Sequence, residues 1–172
     1  SRRKFLKGAG VAALAVAAAG VLAGCSNNDI PVTPNKPGSS DIPENPSLEK
    51  SVYDALLTLP VKTLSQDNGL RSLASDLVKA QIAGTQQEVR ARIMSNNKIE
   101  SDAGLIYIVD TYSNEMAASE FSTKSVLEAW KDSGWAWKDD VWKLDPVATK
   151  VSIAAKTEGD KTYYAMILYA VL

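Results

Sequence analysis

The sequence predicts an α+β fold across residues 47–172, an α-β-α sandwich in which a small antiparallel sheet carries helices on both faces. Three observations predict it. Apolar residues recur at three- and four-residue spacing before residue 95, as they do along one face of a helix. The run Leu105 to Tyr112 is apolar on both alternating faces, the pattern of a strand covered on two sides. The chain then closes on two alternating runs joined by Glu158-Gly159-Asp160, which read as a hairpin.

Ahead of that region, Ser1-Arg2-Arg3-Lys4-Phe5-Leu6-Lys7 places four cations before an uncharged run from Gly8 to Gly24 that ends in Leu22-Ala23-Gly24-Cys25. This is a targeting segment rather than part of the fold. Its run is mostly Ala, Val and Gly, too weakly apolar and too short for a span of ~20 residues. The order of Arg2, Arg3, Phe5 and Leu6 resembles the twin-arginine export signal, and Leu-Ala-Gly-Cys resembles the lipobox of bacterial lipoproteins. The resemblance implies removal of residues 1–24, lipidation of Cys25 and an extracytoplasmic, membrane-anchored product. Two acyl chains at ~0.8 kcal/mol per buried CH2 hold far better than one.

Residues 25–46 form the lipid-bearing end and a linker, with Pro31, Pro34, Pro37, Pro43 and Pro46 set among Ser, Asn, Asp and Gly and little that is apolar to bury. Ser47 is the expected cap of a first helix with Leu48, Val52, Leu56 and Leu59 on one face, stopped by Pro60. Between Asp67 and Ala83, Leu70, Leu73, Leu77 and Ala80 make one stripe, with Gly84 as the stop. Thr85-x-x-Glu88 has the spacing of a capping box and opens a short third helix through Met94. The strand follows, with Leu105, Tyr107 and Val109 on one face and Ile106, Ile108 and Tyr112 on the other. Ser122 caps a further helix through Val126, Leu127 and Trp130 that ends near Ser133-Gly134; a Trp-rich loop leads to the hairpin.

Composition excludes several function classes. The chain has no His and one Cys. It therefore builds neither a Ser-His-Asp nor a Cys-His nucleophile pair, nor a zinc site of the usual His and Cys ligands. Asp139-Asp140 and Asp145 lack calcium-loop spacing, no glycine-rich phosphate loop is present, and no metal or cofactor is expected. Removing residues 1–24 takes four of the 19 Lys and Arg and none of the 20 Asp and Glu, so 15 cations face 20 acids and nucleic acid is an unsuitable partner.

Asn114-Glu115-Met116-Ala117-Ala118, followed by Ser125-Val126-Leu127-Glu128-Ala129-Trp130-Lys131-Asp132-Ser133, resembles the strand end and tryptophan helix of the bacterial CAP (SCP-like) domain. Thr149-Lys150-Val151-Ser152-Ile153 and Tyr163-Tyr164-Ala165-Met166-Ile167-Leu168-Tyr169 stand at the places of that family's last two strands, and Asn68-Gly69-Leu70-Arg71-Ser72-Leu73-Ala74 at its second helix. Glu115 matches a cleft glutamate of the family, while both cleft histidines are missing; Trp135 or Ala136 stands where one of them falls. The resemblance implies a cleft near Glu115 and the loop bearing Trp135, Trp137 and Trp142, and a lipid, sterol or cell-envelope ligand.

Trp130 lies on the apolar face of its helix and belongs to the core. The other three tryptophans either cover the core or form an aromatic surface. A single carboxylate after a strand, as Glu115 is, is more often a helix cap or turn acceptor than a catalytic group, and the sequence places no second acid beside it. Three functions fit: a non-catalytic binding domain for a lipid, sterol, envelope component or protein partner; a hydrolase of wall glycan using carboxylates alone, which needs a second acid roughly 5–9.5 Å from the first; and a structural accessory lipoprotein.

Overall fold

A computed structural model of the chain describes residues 42–59, 64–134 and 148–172, with backbone alone for 137–138 and 141–142. The folded region begins earlier than residue 47. Ile42 is buried, and helix α1 (Pro46–Leu57) is capped by Asn45, whose side chain accepts from the Leu48 N–H, while Glu49 Oε1 accepts from the Asn45 N–H. Asn45 and Glu49 thus form a box-like cap in which the returning carboxylate sits one residue later than in the usual capping box, with Pro46 pre-set for the first turn. Ser47 is inside the helix, not its cap.

Helix α2 (Arg71–Ala83) buries Leu73, Ala74, Leu77, Val78 and Ala80, and helix α3 (Gln86–Ser95) buries Val89 and Ile93. Gly84 takes a left-handed φ of 75° to end α2, and the following turn leaves Thr85 with no side-chain capping bond. The Thr85-Glu88 box expected from spacing does not form. Thr85 sits at φ −111° and ψ 17°, not in the extended backbone region where a cap side chain normally turns back over the first turn. Helix α4 (Thr123–Ser133) begins as expected, with Ser122 accepting from the Ser125 N–H, and ends at Gly134 with φ 67°.

Five strands form one sheet in the order β1 (Ser65–Gln66), β6 (Lys150–Glu158), β7 (Lys161–Val171), β3 (Gly104–Ala117), β2 (Lys98–Ser101). Every pairing is antiparallel except the two-residue edge strand β1, which runs parallel to β6. A separate two-stranded ladder pairs β4 (Trp137–Lys138) with β5 (Val141–Trp142), Trp137 opposite Trp142. The segment expected to be a loop is thus partly a hairpin.

Helices cover both faces of the five-stranded sheet. On one face Val52, Ala55 and Leu56 of α1 and Val126 and Trp130 of α4 pack on Val151, Ile153, Ala155, Tyr164, Met166 and Leu168. On the other, α2 and α3 lie over the alternate residues: the Leu70 N–H donates to Ser152 Oγ at 3.0 Å, and Ser113 Oγ to Gln81 Oε1 at 3.1 Å. The α+β sandwich is therefore present, with a mixed rather than a purely antiparallel sheet.

β3 is the strand that departs most from simple alternation. Its register against β7 shifts between Ile108 and Asp110. A bulge of one extra residue flips the faces beyond it. Val109 and Tyr112 consequently pack on the same α1–α4 cluster, whereas strict alternation puts them on opposite faces. No helix among the described residues is long and apolar enough to cross a membrane.

Candidate functional site

The outer edge of β3 is covered by a strand only at its start. β2 pairs with Gly104 through Tyr107, and Asn97 O accepts from the Ile108 N–H at 2.7 Å. From the bulge onward no strand among the described residues pairs with that edge. The polarity of the sequence changes at the same point, from Leu-Ile-Tyr-Ile-Val to Asp-Thr-Tyr-Ser-Asn.

Which backbone groups face outward follows from the ladder. In an antiparallel pair, alternate residues exchange both hydrogen bonds with the neighbour, and the residues between them point the other way. The two-residue turn Gly159-Asp160 closes on the pair Glu158 and Lys161, and the Ala118 N–H donates to Asp160 O at 2.8 Å. Tyr112, Asn114 and Met116 therefore bond β7, and Thr111, Ser113 and Glu115 present N–H and C=O outward. Arg90 agrees: its Nε donates to Thr111 O at 3.2 Å and its Nη2 to Asp110 Oδ1 at 3.0 Å. Asp110 Oδ1 accepts from the Thr111 N–H at 2.7 Å, and Asn114 Oδ1 from the Glu115 N–H at 2.8 Å. Ser113 alone keeps both outward groups without a partner among the described residues.

This edge is the floor of a groove of about 420 Å³. One wall is amide-rich, Gln81 from α2 and Gln86, Gln87 and Arg90 from α3; Ser133 and Gly134 at the end of α4 form the other. Two buried polar atoms at the groove have no partner, Thr111 Oγ1 and Gln86 Oε1, and Thr111 is wholly buried. Buried polar groups are normally satisfied, and each exception calls for a reason.

Behind the groove lies an aromatic cluster. Tyr112 meets Trp130 edge-on at 6.3 Å, and Tyr164 packs between Tyr112 at 6.1 Å and Phe121 at 5.9 Å. Asn114 Nδ2 donates to the Tyr112 hydroxyl at 3.1 Å. Burial raises the Tyr112 phenol above its ordinary pKa, against the opposing hydrogen bonds of Ser133 and Asn114; Tyr164 is raised much further, again by burial. Both are neutral at any physiological pH; the Tyr112 hydroxyl accepts from Asn114, and the buried Tyr164 hydroxyl has no partner among the described residues.

Comparison with family models, with curated proteins and with solved structures finds no match to this chain. The likeness to CAP domains rests on the sequence motifs alone.

Glu115 lies near the far end of β3, opposite Tyr163 in β7, where its Oε1 accepts from Lys161 Nζ at 2.5 Å. That bond raises the Lys161 ammonium above its usual pKa. Glu115 does not line the groove, so the expected cleft glutamate and the groove are adjacent but distinct. Trp135 lies outside the described residues, as do the side chains of Trp137 and Trp142 and the whole export and lipidation segment with Arg2, Arg3, Phe5, Leu6 and Cys25.

A second depression, of about 350 Å³, lies by the start of α1 and is lined by Glu44, Glu49 and Asp67 among others. Sequence reasoning missed this group, whose members are spread over 24 residues. Each carboxylate is engaged. Glu44 accepts from Asn68 Nδ2 at 3.0 Å, and the buried Glu49 from Arg71 Nη2 at 2.5 Å; Asp67 accepts from Lys150 Nζ and the Gly69 N–H at 2.8 Å each and from the Tyr169 hydroxyl. Burial by itself raises the Asp67 carboxyl; those donors outweigh it, and its pKa lies below the ordinary value. An ionised, fully bonded Asp67 is no proton donor. Among the described residues no three acids, His or Cys group to hold a metal.

Proposed function

We propose that this chain is an envelope-tethered, non-catalytic binding domain of CAP-like type, held at the extracytoplasmic face of the bacterial membrane through lipidated Cys25, whose ligand sits in the groove along the outer edge of β3. The observation that carries the reading is the outward N–H and C=O of Ser113, which have no partner among the described residues. A ligand that bonds both groups exchanges their water for fixed partners, a net gain of about 0.5–1.5 kcal/mol per bond. The lining favours a polar envelope component over the lipid or sterol that the CAP resemblance also implies, since a sterol site needs mostly apolar walls. Hydrolysis by a carboxylate pair has less support, because Glu115 is held in an ion pair with Lys161 outside the groove.

The test is a titration of the full-length protein in detergent micelles with peptidoglycan fragments, phospholipid vesicles and a sterol, read by backbone amide shifts. The expected result is a saturable shift of Tyr112, Ser113 and Asn114 with the polar fragments and none with the lipids. Shifts confined to other residues overturn the assignment of the groove. Anchoring is tested separately: Cys25→Ser should abolish palmitate labelling and release the protein from the membrane fraction.

A further inference from the structure

We infer that the groove receives an extended polypeptide segment, which adds to β3 as a sixth strand. This rests on the groove being the ligand site and names the ligand's chemistry. The outward groups of Ser113, one donor and one acceptor on the same residue, are the half-pair that a single residue of an incoming antiparallel strand completes with two hydrogen bonds. Glu115 C=O, also outward and free among the described residues, accepts a further bond two residues on. Sugar hydroxyls can satisfy such groups singly; the alternation along a strand matches a peptide backbone.

The site has built ends. At one, Asp110 and Arg90 occupy the Thr111 N–H and C=O; at the other, the Glu120 N–H occupies Ala117 O at 3.0 Å. Proteins blunt edge strands in such ways against indiscriminate pairing. Here the blunting stops short of Ser113, so the free stretch is brief, spanning roughly 7 Å from Ser113 to the Glu115 C=O at ~3.3 Å per residue.

The walls specify the occupant's side chains. They alternate between the wall bearing Gln86 and Gln87 and the wall bearing Ser133. The charges at either end, Arg90 with Asp110 and Lys161 with Glu115, are already paired. Among the described residues a charged segment finds no counter-ion there; an uncharged one rich in Ser, Thr, Asn or Gln meets donors and acceptors on both walls. The chain's own proline-rich linker is a poor occupant, since proline cannot donate to a ladder.

The experiment pans a phage-displayed random heptapeptide library on the full-length protein in micelles, then titrates the synthesised winner against the protein and two variants. Ser113→Pro deletes the outward N–H and places its ring where the new strand lies, without removing a bond to β7. Ser113→Ala keeps the backbone and removes only the hydroxyl bonded to Gln81. The expected result is an uncharged consensus whose affinity falls about tenfold or more with Ser113→Pro, the scale of one or two lost hydrogen bonds, and stays near the parent value with Ser113→Ala. In the parent protein the peptide slows hydrogen exchange of the Ser113 amide; this readout stands even if Ser113→Pro fails to fold.

No enriched peptide, or one that leaves Ser113 exchange unchanged, overturns strand addition. If an N-acetylglucosamine tetrasaccharide shifts Tyr112 and Asn114 while no peptide binds, the groove remains the ligand site and its ligand is a glycan. If neither perturbs the groove, the proposed site falls as well. Slowing of Ser113 exchange with protein concentration alone identifies a second copy as the occupant and overturns the inference.

Discussion

Two polar depressions open beside the same sheet, and they differ in whether the carboxylates or edge groups that line them are already bonded. At the start of α1, Glu44, Glu49 and Asp67 each accept from a donor elsewhere in the fold, and Tyr169 of β7 reaches Asp67 from the sheet. The close approach is tight enough that a Cβ on Gly69 would stand 2.8 Å from the Tyr169 hydroxyl. At the β3 edge, Thr111 Oγ1, Gln86 Oε1 and the outward groups of Ser113 have no such partner among the described residues. Three acids in one depression look like the stronger chemical signal, yet their bonding makes them a brace between α1, α2 and the sheet. The quieter edge of amides and hydroxyls is the region still able to take a partner. Acid clusters must be judged by what they already hold.

The largest effect expected on this contrast comes from the brace. Glu49 and Arg71 are both about 5% exposed. Glu49→Ala strands a buried guanidinium and removes half of the Asn45 box, and should cost about 3–5 kcal/mol, read as a lowered urea midpoint. The double change Glu49→Met with Arg71→Met should recover much of that loss. Equal destabilisation by single and double variants would show that the pair is not acting as a unit.

Next comes the Asp67 network, through pH and through Tyr169. Burial holds the Tyr169 phenol far above its usual pKa, so it stays a neutral donor. Tyr169→Phe removes that donor and should cost about 1–2 kcal/mol. The folded Asp67 carboxyl has a depressed pKa, so its contribution is present above the unfolded value of about 3.9 and is lost as pH falls through the lower folded value. Urea midpoints taken from about pH 5 down to pH 2.5 should fall more steeply for the parent than for Asp67→Asn. Parallel curves would remove Asp67 from the brace.

The groove should answer with the opposite sign. Thr111→Val replaces a buried hydroxyl that has no partner by a methyl of the same shape, and should leave stability unchanged or raise it by up to about 1 kcal/mol. Because that hydroxyl lies beneath the groove, out of a ligand's reach, the same change should leave binding in the groove near the parent value. Clear destabilisation would place Thr111 with the brace.

Much of the fold was legible because local rules governed it. The stripe of Leu73 and Leu77, the stops at Gly84 and Gly134, the Ser122 cap and the turn at Gly159 all depend on residues within a few positions of one another. The failures share another cause. Whether Asn45 or Ser47 caps α1 is decided by Glu49 folding back on Asn45, and Glu49 is fixed in turn by Arg71, 22 positions on. The parallel strand β1 exists only because β6 lies beside it, and the bulge after Ile108 changes faces without any marker residue. The groove was least legible of all. Its central groups are backbone atoms of Ser113, which no residue pattern announces; the one sequence signal was an apolar strand turning polar at Asp110, where its cover ends.

The smallest effect concerns the glutamate that the sequence resemblance places in a cleft. Glu115 sits in an exposed ion pair with Lys161, one position past the groove's described lining, and its backbone rather than its carboxylate faces the open edge. Exposed pairs of this kind contribute little, because solvent screens them and two long side chains must be held still. Glu115→Gln should therefore leave the urea midpoint unchanged and peptide affinity intact, since Glu115 C=O is retained. Abolished binding in Glu115→Gln would move the site toward the carboxylate and revive the cleft that the resemblance implies. Intact binding there, set against loss in Ser113→Pro two residues away, would assign recognition to the backbone of β3.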